Sequence, residues 1–233
     1  MEIHGFAKTT LLDYPKHVAA TVFFGGCNFR CPFCHNGDLV LTPGQVPIIP
    51  EEDVFAYLKK RQGIIEGVCI TGGEPTLQPD LETFIRKIKD MGYLVKLDTN
   101  GYRPEVLSSL LEKELLDYVA MDIKNSKEKY PLTVGKADLD IRKIEDSVHL
   151  LISGKTPYEF RTTVVKELHC IDDMKHIGQW ITGAEGYFLQ NYRDTEKVIS
   201  PGFSECSKEE LLEMQSLLRS FVPNTQIRGV DNV

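Results

Sequence analysis

Three cysteines near the start of the chain have the spacing C-x3-C-x2-C: Cys27, Cys31 and Cys34. Clustered thiols of this kind are typical of metal or redox sites. A structural zinc site normally needs four protein ligands; no fourth cysteine lies nearby, and His35, directly after Cys34, is poorly placed to be the fourth. Three thiolates that hold a 4Fe–4S cluster leave one iron without a cysteine ligand, and an open iron can bind a substrate. The loop therefore predicts a reactive iron–sulfur centre.

Other polar motifs follow apolar runs of the sequence and could supply further groups to such a centre. They are Gly25-Gly26-Cys27, Gly72-Gly73-Glu74-Pro75, Asp98-Thr99-Asn100-Gly101, Asp122-Ile123-Lys124 and Gln190-Asn191-Tyr192-Arg193, and Arg161 lies within a further run. Turn chemistry alone could explain any one of these motifs, since strand ends need turn residues. It explains poorly why charged groups recur at the same place in successive units.

An alternation of strands and helices must position these motifs. The predicted strands are 18–24, 67–71, 93–98, 118–123, 158–165 and 186–190, and the predicted helices are 51–61, 79–90, 104–113, 139–151, 172–180 and 208–220. Such alternation favours βαβ units with a parallel sheet, and right-handed crossovers would curl six of them into an open or closed barrel. In barrels of this kind the chemistry gathers at the carboxyl ends of the strands. We expect an α/β fold, a partial (β/α)6 barrel, formed by residues 1–233 as a single domain.

The cysteine loop, with the aromatic Phe33 before its last cysteine, resembles that of radical S-adenosylmethionine (SAM) enzymes. The resemblance implies that Cys27, Cys31 and Cys34 bind a 4Fe–4S cluster whose open iron is chelated by SAM. Reductive cleavage of SAM then gives methionine and a 5′-deoxyadenosyl radical. Phe33 would pack near the adenine, with His35 also close to the cofactor. Gly72-Gly73-Glu74 resembles the family element in which the backbone approaches SAM and the glutamate binds the methionyl amino group.

Two further motifs, Asp98-Thr99-Asn100-Gly101 and Asp122-Ile123-Lys124, resemble elements of activating enzymes for glycyl-radical proteins, of the formate-lyase-activating type. In that type a monovalent cation, Na⁺ or K⁺, lies beside SAM. The resemblance places it on Asp98, Thr99, Asp122 and the carbonyl of Ile123, and all-oxygen ligation suits a hard cation. Lys124 and Arg161 would neutralise the methionyl carboxylate, and Arg193 would lie near the cofactor. Helix capping or turn formation is the alternative role for the two aspartates.

The segments Leu11-Leu12-Asp13-Tyr14-Pro15, Ala19-Ala20-Thr21-Val22-Phe23 and Cys34-His35-Asn36 resemble the activating protein of anaerobic ribonucleoside-triphosphate reductase. This implies hydrogen abstraction from the α-carbon of one glycine in a partner reductase, with flavodoxin or ferredoxin as the electron donor. The alternatives are an activase of another glycyl-radical enzyme, a radical SAM enzyme for a small molecule (similar to a deazapurine synthase), or a non-catalytic metal-binding interaction module.

The composition limits the kinds of partner and the cellular compartment that we expect for this protein. A net charge of −7 argues against a nucleic-acid partner, which usually meets a basic face. No apolar run approaches the roughly 20 residues that span a bilayer, so no membrane association is expected. The first ten residues lack the apolar stretch of a signal peptide. The prediction is a cytoplasmic protein.

Overall fold

The structure, a computed structural model, describes residues 1–195 and 198–230. Eight strands follow one another in the sheet in chain order. They are β1 (Ile3–Thr10), β2 (Ala19–Phe24), β3 (Gly67–Gly72), β4 (Leu94–Thr99), β5 (Tyr118–Asp122), β6 (Tyr158–Val164), β7 (Tyr187–Asn191) and β8 (Thr225–Arg228). β1 is antiparallel to β2, whereas β2–β3, β3–β4, β6–β7 and β7–β8 are parallel pairs. The predicted α/β class with a mostly parallel sheet is confirmed.

In residues 1–195 and 198–230, eight helices accompany the strands. They are α1 (Gly37–Leu41), α2 (Glu51–Lys60), α3 (Leu81–Asp90), α4 (Pro104–Glu112), α5 (Tyr130–Thr133), α6 (Ile141–Ser153), α7 (Ile171–Trp180) and α8 (Lys208–Leu218). Short 3₁₀ turns occupy Pro43–Gln45 and Pro75–Leu77. Within the described ranges, no helix has the length and apolar character needed to cross a membrane.

The chain divides into two compact units, and the first comprises residues 1–28 and 36–120. Its sheet is covered by amphipathic helices. α3 turns Leu81, Phe84, Ile85 and Ile88 inward, at the spacing that gives a helix one apolar face. Phe84 meets Phe24 of β2 edge to face, with ring centroids 5.6 Å apart. This packing fixes the carboxyl end of β2, where the cysteine loop begins.

The second unit comprises residues 29–35 and 121–233. Its helices are capped by side chains: Asp140 accepts a hydrogen bond from the Arg142 amide at the start of α6, and Ser207 and Glu210 form a capping box at the start of α8. In α6, Ile144, Val148 and Leu151 are buried. Capping satisfies amide groups that would otherwise lack partners in the first helical turn, so these helices begin at defined residues.

All six predicted strands are confirmed to within one residue at each end, and the six predicted helices to within two. The prediction omitted β1, β8, α1 and α5. β1 contains Gly5 and pairs irregularly with β2, with shifts of register on both sides. β8 has four residues and α5 has four. Elements this short have too few residues for a hydrophobic period to be recognised.

Candidate active site

In the first unit, the start of the cysteine loop is hydrogen-bonded to the Gly72-Gly73-Glu74 turn. The Gly73 amide donates to the carbonyl of Phe24 and the Glu74 amide donates to the carbonyl of Gly26, both at 2.8 Å. A Cβ atom on Gly73 would lie 2.0 Å from the Gly26 oxygen, and Gly72 has a φ of +118°. The glycines are therefore required because two turns of the chain's own backbone touch at this point.

The carboxylate of Glu74 joins the turns that follow β3 and β4. It accepts hydrogen bonds from the Thr76 amide and hydroxyl, the Thr99 hydroxyl at 2.8 Å and the Asn100 amide at 2.7 Å. Glu74 is only 1% exposed. Burial raises its pKa, against the lowering effect of these donors. Its binding of a methionyl amino group stays a prediction, to which the structure adds a role in holding the two turns together.

Asn100 is a site residue that the sequence prediction left out, although it stands inside the Asp-Thr-Asn-Gly motif. Its side-chain amide donates to Asn28 Oδ1 at 2.8 Å and lies 3.9 Å from Cys27 Sγ. Asn28 Nδ2 is buried without a hydrogen-bond partner among the described residues. Because amide donors beside a cysteine sulfur tune an iron–sulfur centre, the Asn100 amide fits a cluster held by Cys27.

In the second unit, the rest of the cysteine loop is held by backbone hydrogen bonds. The Cys34 amide donates to the carbonyl of Cys31 at 3.0 Å, and the Ser200 amide donates to the carbonyl of Pro32 at 2.8 Å. Cys31 is 7% exposed and Phe33 is 3% exposed. Main-chain hydrogen bonds thus help to set the conformation of this part of the loop. Contact between Phe33 and adenine stays a prediction.

Asp122, at the end of β5, has two cationic neighbours in the same unit. Lys124 Nζ lies 2.9 Å from Oδ2 and Arg161 Nε lies 3.0 Å from Oδ1. Burial acts to raise the pKa of Asp122, but these two charges outweigh it and hold the pKa at about 2. Burial likewise acts to lower the pKa of Lys124, and the negative charges of Asp122, Cys31 and Cys34 raise it instead. Two cations therefore share one carboxylate at the end of β5.

His35 and Arg193 make contacts with the segment after β7. His35 Nε2 lies 2.7 Å from the carbonyl oxygen of Arg193, and its ring lies 5.5 Å from the ring of the buried Tyr192. The Arg193 guanidinium donates to the carbonyl of Gly229 at 2.8 Å and its side chain is exposed. Both residues therefore help to hold this segment, and their contact with a cofactor stays a prediction.

The four oxygen ligands predicted for a monovalent cation already have hydrogen-bond donors. Within the first unit, Asp98 accepts from Lys96, and Thr99 Oγ1 donates to Glu74 while accepting from the Gly101 amide at 3.1 Å. Within the second unit, the Ile123 carbonyl accepts from the Thr162 hydroxyl at 2.6 Å, and Asp122 has the two cations described above. Because Asp98 and Asp122 are each already paired with cationic side chains, the charge of these residues does not fit a bound metal cation in addition.

The cysteines, by contrast, fit an iron–sulfur cluster. Thiolates are the ligands that such clusters take, and the charge of Lys124 interacts favourably with Cys31 and Cys34. In residues 1–195 and 198–230, no three His, Cys, Asp or Glu side chains are arranged to hold a single metal ion. In a cluster each cysteine binds a different iron, so the three sulfurs need not converge on one point.

Sequence comparison places the chain in a family. The model of the radical SAM superfamily matches residues 21–169. A Methanocaldococcus jannaschii protein, named as a glycyl-radical enzyme activating enzyme, is 30% identical over 98% of this chain and 96% of its own length. The chain belongs to the radical SAM superfamily, which implies a 4Fe–4S cluster and SAM as its cofactors.

Other relatives match part of the chain. The pyruvate formate-lyase-activating enzyme of Clostridium pasteurianum is 33% identical over 58% of this chain and 57% of its own length. A Thermococcus kodakarensis protein named as a GTP 3′,8-cyclase is 33% identical over 61% of this chain and 46% of its own length. This chain therefore spans about half the length of each of these two relatives.

Solved structures share the fold. Streptococcus suis SuiB bound to S-adenosylmethionine aligns with a TM-score of 0.65 and 14% identity over 91% of this chain and 52% of SuiB. TYW1 with a lysine-pyruvate adduct aligns with a TM-score of 0.64 and 16% identity over 88% of this chain and 74% of TYW1. At this identity the likeness supports the fold alone.

Proposed function

We propose that this protein is a glycyl-radical enzyme activating enzyme whose partner is anaerobic ribonucleoside-triphosphate reductase. The observation that carries the proposal is the 30% identity to an activating enzyme over 98% of this chain and 96% of that relative. The partial match to a pyruvate formate-lyase-activating enzyme supports the same class. Residues 1–233 act as one catalytic domain in the cytoplasm, and flavodoxin or ferredoxin is the electron donor.

The cluster and SAM together supply reductive cleavage to a 5′-deoxyadenosyl radical, the species that takes hydrogen from glycine. Cys27, Cys31 and Cys34 hold the cluster. Lys124 and Arg161, the two cationic groups beside Asp122, would pair with the methionyl carboxylate. The protein's task is to orient cofactor and glycine and to exclude competing hydrogens, and no acid or base is needed for the abstraction.

Two turns restrict how the cofactor can be placed. The backbone contact between Gly26 and Gly73 fixes the entry to the cysteine loop, and Glu74 fixes the turn after β4 through Thr99 and Asn100. Side chains held by buried hydrogen bonds do not have to reorganise when a ligand binds, so the site is preorganised. Phe33 and the glycines at 72 and 73 would line the adenosyl and methionyl parts of SAM.

The test is activation of a reductase. The protein is reconstituted anaerobically with iron and sulfide, reduced, and mixed with SAM and an anaerobic ribonucleoside-triphosphate reductase deuterated at glycine. We expect a glycyl-radical EPR signal, 5′-deoxyadenosine that contains deuterium, and no signal from a reductase in which the radical glycine is replaced by alanine.

The possible outcomes test three parts of the proposal separately: the radical SAM chemistry, the activase class and the partner enzyme. 5′-Deoxyadenosine without a radical on any candidate reductase would refute the partner while leaving radical SAM chemistry in place. A radical formed on a different glycyl-radical enzyme, and none on the reductase, would keep the class and change the partner. No SAM cleavage by the cluster-loaded protein would refute the function.

Action on a small molecule is the second candidate, because the relatives include a protein named as a GTP 3′,8-cyclase. That match covers 61% of this chain and less than half of the cyclase, so it is weaker in extent than the match to the activating enzyme. Membership of the radical SAM superfamily leaves the non-catalytic interaction module without support.

A further inference from the structure

Lys96 is a buried cationic residue that the catalytic scheme does not use. It lies in β4, it is 1% exposed, and its ammonium group forms an ion pair with Asp98 two residues later. Lys96 is paired in register with Cys69 on the neighbouring strand β3. Cys69 is fully buried, and Lys96 Nζ lies 3.7 Å from Cys69 Sγ. A lysine in such a position requires a compensating charge, because an unpaired buried ammonium is strongly destabilising.

The strand geometry directs this charge to Asp98. Successive side chains of a strand alternate between the two faces, so residues 96 and 98 share one face. Val95 and Leu97, on the opposite face, are fully buried and apolar. The polar face of β4 therefore has a cation beneath the carboxylate at its end, where the family resemblance predicts a metal cation.

The two carboxylates predicted to bind a metal cation are each paired with cationic side chains of their own unit. Asp98 is balanced by Lys96 in the first unit, and Asp122 is balanced by Lys124 and Arg161 in the second. The Thr99 hydroxyl and the Ile123 carbonyl are engaged in hydrogen bonds. A metal cation bound at Asp98 would add positive charge beside Lys96, which already balances this carboxylate.

We propose that the ammonium group of Lys96 takes the place of the monovalent metal cation, so that SAM binding does not require Na⁺ or K⁺. Lys96 acts on the cofactor site through Asp98 and is a positioning residue. The inference rests on the proposed binding of SAM at the carboxyl ends of the strands, and it concerns the charge of Asp98 rather than the identity of the partner enzyme.

The first test uses the unmodified, cluster-loaded protein. SAM is titrated into the reduced protein in choline, sodium or potassium chloride at equal ionic strength, and binding is followed by the change in the cluster EPR signal. We expect dissociation constants that agree to within about twofold, since no metal ion is part of the site. Binding that is about tenfold tighter in sodium or potassium than in choline would overturn the inference.

The second test removes the ammonium group. Lys96→Met keeps a long unbranched side chain and leaves Asp98 without its cation. We expect SAM binding in choline to weaken about tenfold, and to recover when Na⁺ or K⁺ is added, because a metal ion can then occupy the position. Lys96→Arg, which keeps the charge, should stay independent of the metal ion.

The matched control is Lys87→Met, which removes an exposed lysine that pairs with Glu51 and lies away from the site. It should bind SAM as the unmodified protein does in all three salts. Unchanged SAM affinity of Lys96→Met in choline would overturn the inference. If Lys96→Met does not fold, the salt series on the unmodified protein still decides the question.

The same samples distinguish this inference from the proposed function. SAM cleavage by dithionite is measured without any reductase, and radical transfer is measured separately. Failure to activate the reductase would refute the partner and leave the salt series unaffected. A requirement for Na⁺ or K⁺ in SAM binding would refute the role of Lys96 and leave the activase proposal intact.

Discussion

Asp122 is paired with two cationic side chains of the second unit. Its carboxylate lies between Lys124 and Arg161, and their charges hold its pKa at about 2 despite burial. Its counterpart in the first unit, Asp98, is balanced by the buried Lys96. The two aspartates, which occupy similar places in the sequence motifs, therefore meet different cations with different degrees of burial, and substitutions at the two positions should have different effects.

The lowered pKa of Asp122 predicts a stability that depends on pH. A carboxyl whose pKa is lower in the folded than in the unfolded state contributes stability above its unfolded pKa, 3.8 here, and this contribution is lost as pH falls towards 2. Replacing the carboxylate removes the contribution, which is about 2 kcal/mol. We expect Asp122→Asn to be less stable near pH 5 and to lose less stability than the unmodified protein between pH 5 and pH 2.5, as measured by urea unfolding of the cluster-free protein.

The control is Asp138→Asn, since Asp138 pairs with Lys136 but its side chain is 86% exposed. An exposed pair contributes little to stability, so this variant should follow the unmodified protein throughout the series. A curve for Asp122→Asn that runs parallel to that of the unmodified protein from pH 5 to pH 2.5 would show that the ion pairs of Asp122 do not stabilise the fold.

At the scale of elements, the turns after β2, β3 and β4 form the best-defined part of the site. Gly26, Gly73 and Glu74 are joined by backbone contacts, and Glu74 connects them to Thr99 and Asn100. The sequence places these residues after strands, and this was enough to predict that they lie at strand ends. The sequence does not show which of these residues touch one another, because each contact joins turns that are distant in the chain.

Gly73→Ala tests this arrangement of turns. The added Cβ would lie 2.0 Å from the Gly26 carbonyl oxygen, which is backbone and has no rotamer with which to move away. We expect a loss of about 2 kcal/mol or more in the free energy of unfolding, together with reduced iron content after reconstitution. Urea unfolding and iron analysis under anaerobic conditions measure the two effects.

Gly44→Ala is the matched control, because a Cβ at position 44 meets no atom within 4 Å. It should change the free energy of unfolding by no more than about 0.5 kcal/mol and leave cluster loading intact. Normal stability and normal iron content in Gly73→Ala would mean that the turn can shift without cost, and that the close contact with Gly26 is not needed for the site.

Lys96 shows where prediction from sequence reached its limit. The strand 93–98 was predicted correctly to within one residue, and its alternation already puts residues 96 and 98 on one face. A lysine two residues before an aspartate on a strand is a signal for an ion pair. Whether that face is exposed or buried depends on what packs against it, and the burial of Lys96 at 1% exposure is a property of the folded chain.

At the scale of the whole molecule, the relative named as an activating enzyme and the relative named as a cyclase differ in how much of their length matches this chain. The chain and the M. jannaschii protein named as a glycyl-radical enzyme activating enzyme match over nearly their whole lengths, 98% and 96%. The protein named as a cyclase matches over 46% of its length. The choice between these two functions depends on what stimulates SAM cleavage.

We therefore predict that GTP does not act as a substrate of this 233-residue chain. 5′-Deoxyadenosine is measured after reduction with dithionite, in the presence of GTP, of the reductase, or of neither, since a substrate that accepts the radical draws SAM cleavage forward. GTP should leave the yield unchanged and give no new nucleotide by mass spectrometry, whereas the reductase should raise the yield and acquire a glycyl radical. The control is a reductase without its radical glycine, which presents the same protein surface and lacks the abstractable hydrogen. Consumption of GTP with formation of a cyclised product would favour the small-molecule alternative.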